Sequence, residues 1–486
     1  MFSPQPSMQQ LFTHASQLHR SGSFSAAADT YRQLLRTSPN NPEFIGRLGN
    51  CLLNMGRVDE GRRQMEKALK LAPNSPMLVH DLHLTYKREG NWAKAEELID
   101  KALRMSPLNP TFTASKSELL VFTGDPERAL RVLEPVRGQA GEIPAVALVF
   151  ASLSPRIGAE RECAAAIRKL LSNAELAPTT RIKLGFALGF VLDVAGEHDE
   201  AWRAIETART GVSSSWDPQR NRASVDAAIA GWSTQATRSA ARGAVDASSA
   251  ILIVGMPRTG RGLVASMLAA LPESAAAGEQ NDLILAARDL EGGVASGMPY
   301  FTRPSSLTES ALTERGSAYL DRLRAVRPGA KLVSDRLPMN MCNLGLISRM
   351  LPGVRIVHCT RDPLDIGVAT FMHLTTAALP FQHRLEHIGA FIRDANRLMS
   401  HWKSTIDAPI LDVAYEELLA RPEASARRLA EFVGRPWTEA MLAPARSWVS
   451  TVTLPDGSMR DLVPDGRAGI ATDYDRHLAT LREALR

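Results

Sequence analysis

The sequence predicts a two-part chain: an all-helical solenoid in the first part, then an α/β domain built on a doubly wound parallel sheet. Three observations predict it. Pro39, Pro73 and Pro107 recur at an interval of 34 residues, and the stretches between them share one apolar framework. From residue 250 onward short apolar runs alternate with helical patterns, the order that builds parallel sheets. The first of those runs, Ile251-Leu-Ile-Val254, breaks into a glycine-rich turn and re-emerges as a helix. Strand, glycine turn and helix together aim backbone N–H groups and a positive helix end at a phosphate.

The repeats come first in the chain. Between Pro42 and Pro73, small and apolar residues fall at Leu48-Gly49, Leu52, Gly56, Gly61, Met65 and Ala68-Leu69. The next unit gives Leu82, Tyr86, Gly90, Ala95, Ile99 and Ala102-Leu103. The first unit keeps Gly22, Ala27, Tyr31 and Pro39, and the fourth keeps Gly124, Ala129 and Leu133. A stretch over about 141–178 is helical in pattern without the framework, and a last unit returns at Leu188-Gly189, Leu192, Gly196, Ala201, Ile205 and Ala208. Period and framework resemble the tetratricopeptide repeat (TPR). Gly and Ala at two fixed positions let the paired helices approach closely. A single hairpin cannot bury its apolar face alone, so neighbours stack into a right-handed solenoid with a concave groove. The resemblance implies that residues 8–209 hold a protein or peptide partner. Residues 210–249, rich in Ser, Ala, Thr and Arg, read as a partly helical connector to a domain over 250–486.

In that domain the strands are expected at 251–254, 331–334, 354–358 and 409–413, with ligands at their carboxyl ends. The turn Gly255-Met-Pro-Arg-Thr-Gly260 has the glycine spacing of a P-loop, but Arg261 and Gly262 stand where Lys and Ser/Thr would be. Gly262 has no hydroxyl to hold Mg²⁺, which argues against an ordinary ATPase or nucleotide kinase.

The loop Pro257-Arg258-Thr259-Gly260 instead resembles that of the sulfotransferase superfamily, which grips 3′-phosphoadenosine 5′-phosphosulfate (PAPS). Three further elements follow in order. Gly278-Glu279 and Ser334-Asp335-Arg336-Leu-Pro-Met-Asn340 resemble the Gly-Glu and Asp-Lys-x-Pro-x-Asn elements of the branch that holds the tyrosylprotein sulfotransferases. Arg355-Ile-Val-His-Cys-Thr-Arg361-Asp-Pro-Leu-Asp365 resembles the strand and helix that bind the 3′-phosphate. The resemblance covers residues 250–486 and implies a P-loop-type α/β sulfotransferase that takes PAPS as co-substrate and needs no metal.

It also implies roles. Arg258 contacts the phosphosulfate and is a catalytic candidate, with Thr259 and the backbone of Gly260, Arg261, Gly262 and Leu263 completing the cradle. Arg261 either reaches the phosphate in place of a Thr or points into solvent. Glu279 is the general base: a carboxylate beside cations stays ionised and accepts a hydroxyl proton on demand. Arg336 replaces a Lys that stabilises the transferring group, keeping the charge with a different fork geometry. Arg361 binds the 3′-phosphate, and Arg460 matches a cation near the C-terminus of relatives. Asp362 and Asp365 cap the helix after Arg361. Ala369 stands where relatives have a phosphate-binding Ser, and Gly469-Ile-Ala-Thr-Asp-Tyr474 lacks the cations of their Gly-Arg-Trp-Arg segment. His358, His373, Trp402 and the stretch Asp412–Leu418 read as structural.

Composition bounds the rest. With 44% hydrophobic and 22% charged residues most of the chain should fold, and 486 residues exceed one ordinary core. The net charge of +5 is mildly basic with no Lys/Arg tract, so nucleic acid is not an expected partner. Cys51, Cys163, Cys342 and Cys359 are scattered, as buried thiols in a reducing compartment would be. The first ten residues lack a basic and an apolar signal region, and no apolar run reaches membrane-span length, so a soluble cytoplasmic protein is expected. Two functions compete. One is a TPR-guided sulfotransferase acting on a hydroxyl of a protein or peptide; the other is a catalytically degenerate sulfotransferase scaffold whose TPR surface does the binding.

Overall fold

The computed structural model describes residues 7–212, 216–292, 300–374, 379–443 and 467–486. They fall into two compact units, one carried by residues 7–212 and the other by most of the chain from 216 onward.

The first unit consists of six helical hairpins. They are α1 (Met8–Arg20) with α2 (Phe24–Thr37), α3 (Pro42–Asn54) with α4 (Val58–Leu71), α5 (Pro76–Arg88) with α6 (Trp92–Met105), α7 (Pro110–Thr123) with α8 (Pro126–Arg137), α9 (Pro144–Leu153) with α10 (Glu160–Leu171), and α11 (Pro178–Val194) with α12 (His198–Thr210). The repeat starts are written in pairs: Asn41-Pro42, Ser75-Pro76 and Asn109-Pro110 place a side-chain cap before a proline that needs no N–H. The small positions do what the framework requires. A Cβ on Gly61 would stand 2.6 Å from Leu53 and 2.9 Å from the Gly49 carbonyl, so α3 and α4 touch backbone to backbone there. Where the third unit has His83 in place of glycine, the ring is fully buried and its Nδ1 bonds Ala95 O at 2.8 Å. The divergent stretch at 141–178 supplies α9 and α10 in the same hairpin pattern.

The second unit opens with α13 (Pro218–Gly231) and α14 (Thr234–Ser239). These helices lie in the segment read as a connector, and they are packed into this unit. Trp232 is buried, its Nε1 donates to Phe301 O at 2.8 Å, and Asn221 donates to the buried Asp394 at 2.9 Å. Five parallel strands follow: β1 (Ala250–Val254), β2 (Ser274–Gly278), β3 (Leu332–Asp335), β4 (Arg355–Thr360) and β5 (Ile410–Ala414), in the order β2-β3-β1-β4-β5. Four of them fall where the apolar runs predicted. The fifth, β2, has no branched or aromatic residue in Ser-Ala-Ala-Ala-Gly and sits half-exposed at the sheet edge.

Helices cover both faces. On one, α15 (Arg261–Ala269), α21 (Tyr415–Ala420) and α22 (Pro422–Phe432) bury Val264, Leu268, Leu418 and Leu429 against Ile251, Ile253, Val357 and Val413. The remaining helices are α16 (Asp282–Leu290), α17 (Glu309–Val326), α18 (Leu344–Met350), α19 (Pro363–Met372), α20 (Leu385–Thr405) and α23 (Ala479–Leu485). Trp402 of α20 is buried, donates to Met341 O at 2.9 Å and meets Trp232 edge to face. Among the described residues no helix is long and apolar enough to cross a membrane.

Candidate active site

The strand order decides what meets. Chain connections run from β1 towards β3 and β2 on one side and towards β4 and β5 on the other, so the crevice of the sheet opens beside β1 at its carboxyl end. Register aligns the strand ends: Gly278 pairs with Asp335, Leu252 with Asp335, Val254 with His358 and Thr360 with Ala414. The residues just beyond those ends are Glu279, Arg336, the loop from Gly255, Arg361 and Tyr415. Four of the sequence-predicted site residues, Arg258, Glu279, Arg336 and Arg361, therefore follow four neighbouring strands on one edge.

The glycine loop is tightly held. Gly255 has φ +133°, and a Cβ there would lie 2.3 Å from Cys359 O; Gly260 has φ +80°, and a Cβ would lie 2.5 Å from the Tyr415 ring. Between them Arg258 is half-buried with φ +69°, a left-handed conformation that costs a non-glycine residue about 1–3 kcal/mol. Thr259 is fully buried and its Oγ1 donates back to Met256 O at 2.7 Å. Gly260 caps α15, so the first-turn amides of Arg261, Gly262 and Leu263 have no acceptor within the helix. The Leu263 side chain is buried in the core.

Arg261 does not point into solvent. Its side chain lies under the loop, with Nε donating to Met256 O at 3.4 Å and Nη1 donating to Arg336 O. Burial lowers the tendency of that guanidinium to stay charged, and Glu279, 3.7 Å from it, acts in the opposite sense.

Glu279 follows β2, and its Oε1 accepts from Arg336 Nη1 at 3.0 Å. The backbone beneath is fixed by Asp335, which the sequence motif includes without giving it a role. Its buried carboxylate collects Gln280 N, Leu337 N, Tyr319 Oη and Asn340 Nδ2 at 2.9–3.2 Å, and burial outweighs these donors to push its pKa up to about 6. Arg336 N in turn donates to Gly278 O at 2.8 Å.

Arg361 is buried at the end of β4. Its Nη1 donates to Arg258 O at 3.0 Å, Nη2 donates to Arg467 O at 2.9 Å and lies 3.5 Å from Asp365, and the guanidinium covers the Tyr415 ring at 4.5 Å. Its Nε is buried and without a hydrogen-bond partner among the described residues. Asp362 caps α19 as expected, accepting from Leu364 N and Asp365 N. Asp365 does something else: its carboxylate accepts from Gly469 N at 2.6 Å and Ala471 N at 2.9 Å, tying the C-terminal segment to Arg361. Tyr415, read from sequence as structural, forms one wall of the Arg361 environment. The signal for it was its place immediately after the last strand. Arg460 lies outside the described residues. Among the described residues no three His, Cys, Asp or Glu side chains gather as a metal site.

A glycine-spaced loop, three arginines and one carboxylate thus stand together at the crevice of a parallel sheet. Residues 250–439 match the sulfotransferase family, and residues 18–83 and 78–111 match the tetratricopeptide repeat. The chain is a TPR-repeat protein carrying a sulfotransferase-family domain. It is similar to an uncharacterized protein of Aquifex aeolicus (strain VF5), 25% identical over 287 residues that take in 57% of this chain and 38% of that one. The chain thus matches well under half the length of this relative. Among solved structures it is similar to a tetratricopeptide repeat protein from Parabacteroides merdae ATCC 43184, with 16% identity, 42% of this chain, 79% of that chain and a TM-score of 0.34. A thermophilic TPR protein in Thermus thermophilus gives 20% identity, 37% of this chain, 99% of that chain and a TM-score of 0.33.

Proposed function

We propose that the second unit transfers the sulfuryl group of PAPS to a hydroxyl, and that the TPR unit recruits the protein or peptide bearing it. The observation that carries this reading is the line of Glu279, Arg336, Arg258 and Arg361 after four neighbouring strands, with the first-turn amides of α15, which have no acceptor within the helix, among them. The buried Nε of Arg361 is a donor in want of an anion, which fits the 3′-phosphate of such a ligand.

When bound, PAPS supplies an activated sulfuryl group on a phosphate leaving group. The chain's residues position it and balance charge, as in phosphoryl transfer. Glu279 accepts the proton of the acceptor hydroxyl as its oxygen bonds to sulfur. Arg258 and the first-turn amides of Arg261, Gly262 and Leu263 take up the charge left on the phosphate oxygen as the sulfur–oxygen bond breaks. Arg336 neutralises the transferring group and, until then, is held by Glu279. Arg361 and Arg460 bind the adenosine bisphosphate moiety, with Thr259 contributing its backbone. No metal, nucleic acid or membrane has a role in this scheme, and four buried free thiols support a cytoplasmic setting.

Radiolabelled PAPS incubated with the chain and a cell lysate tests the reading. Label should pass to protein with the wild type and not with Glu279→Gln; no transfer by either contradicts it. One observation favours a second reading, a degenerate scaffold acting through its TPR surface: Arg261 and both terminal nitrogens of Arg361 already donate to groups of the protein itself.

A further inference from the structure

Arg261 opens α15, at the place where a side chain could bend towards an anion on the helix end. It turns inward, and the side chain is only 8% exposed. Its partners belong to three separate loops. Met256 O lies after β1, Arg336 O after β3, and Glu279 Oε1, 3.7 Å from Nη1, after β2. Arg336 donates to that same Glu279 oxygen at 3.0 Å, so two guanidiniums converge on one carboxylate oxygen. Two cations and one anion leave the cluster with a surplus positive charge. Burial opposes the Arg261 charge, and the Glu279 carboxylate offsets that burial. The planar guanidinium fork suits this place. It can reach two carbonyls and a carboxylate at fixed angles, which the point charge of a lysine cannot.

We propose that the Arg261 side chain is a positioning group that ties the carboxyl ends of β1, β2 and β3 together from beneath and sets the Glu279–Arg336 pair in place before any donor arrives, leaving contact with the donor to the residue's backbone amide. This rests on the reading of Glu279 and Arg336 as the working pair. It turns the departure of this loop from the phosphate-binding pattern from a lost contact into an internal brace. The brace predicts coupling: removing Arg261 acts through Glu279 and Arg336, so its effects should not add to theirs.

Two thermodynamic cycles on the full chain test this. The first uses no nucleotide. The melting transition is compared for wild type, Arg261→Met, Glu279→Gln and the double variant, with Arg261→Lys as a milder change should the methionine variant fold poorly. The brace predicts that Arg261→Met lowers the transition and that the double variant falls by clearly less than the two single shifts together. The second cycle measures PAPS affinity by calorimetry for Arg261→Met, Arg336→Met and their combination. Each single variant is expected to lose about tenfold or more, roughly 1.4 kcal/mol, and the double variant to lose no more than the weaker-binding single variant. Additive shifts in melting, or no shift at all, overturn the brace; so do PAPS losses that multiply, which would make Arg261 an independent donor ligand. Should the wild type bind no PAPS while melting shows coupling, the donor-site reading fails and the brace stands.

Discussion

Arg336 Nη1 lies 3.0 Å from Glu279 Oε1, so the residue that follows β3 neutralises the residue that follows the neighbouring edge strand β2. The proton acceptor of the proposed reaction is thus held by the cation that would stabilise the transferring group. Donor and acceptor binding must redistribute that pair, and the separate duties of base and phosphate ligand become measurable.

Glu279→Gln keeps the shape of the side chain and can still accept from Arg336, but it cannot take the acceptor proton. Sulfuryl transfer should fall on the order of 10²–10⁴-fold while PAPS affinity stays close to wild type. Arg361→Ala should do the reverse, weakening nucleotide binding with less effect on transfer at saturation. It should also lower the melting temperature, because Asp365 is left buried beside the C-terminal segment without its cation. Steady-state kinetics on both variants decide the split; equal losses in turnover would remove Glu279 from the chemistry.

Arg258 has a left-handed backbone and, in the proposed reaction, also contacts the phosphosulfate. Arg258→Ala and Arg258→Gly should both lose at least about tenfold in nucleotide affinity. Their stabilities should differ in the unusual direction. At φ +69° glycine is relieved of a strain of about 1–2 kcal/mol that alanine keeps, so the glycine variant should melt no lower than the alanine variant. An alanine variant that is clearly the more stable would show that the loop relaxes out of this conformation.

Much of this architecture was legible in the sequence, and the failures have physical causes. The 34-residue spacing, the four apolar strands and the glycine loop are local patterns, and local patterns fix elements. The strand Ser274–Gly278 was invisible because an edge strand of small residues carries neither branching nor alternation. The docking of α13 escaped because it depends on Trp232 finding a carbonyl at Phe301, far along the chain. Pattern named the candidate site residues but does not give the directions of their side chains. Arg261 turns inward because of a carbonyl and a carboxylate contributed by other loops, and Asp365 abandons its own helix for amides at Gly469 and Ala471. Side-chain direction at a strand end is set by partners distant in sequence, which a motif does not contain.

The solenoid should be acid-sensitive through His83. Burial lowers its pKa from 6.5 to about 3, so the folded chain keeps the ring neutral while the unfolded chain takes up a proton below pH 6.5. A depressed value of this kind gives stability that is fully present above pH 6.5 and is lost as pH falls towards 3. By about pH 5 the loss should reach about 2 kcal/mol. His83→Leu forfeits the bond to Ala95 O at every pH but cannot titrate, so the stability gap between wild type and variant should narrow as the solution is taken from neutral to mildly acidic. Denaturant melts followed by circular dichroism check it, and a gap that stays constant with pH would place the titration elsewhere.

The central claim is that the strand-end arginines and the α15 amides form a working anion cradle for an adenosine bisphosphate. Calorimetric titration of the full chain with 3′-phosphoadenosine 5′-phosphate tests it most directly, since no acceptor is needed. One saturable site per chain is expected, weakened at least about tenfold by Arg258→Ala and left nearly unchanged by Glu279→Gln. No measurable heat of binding at millimolar nucleotide, with the protein folded, would contradict it and leave the degenerate scaffold as the function of this domain.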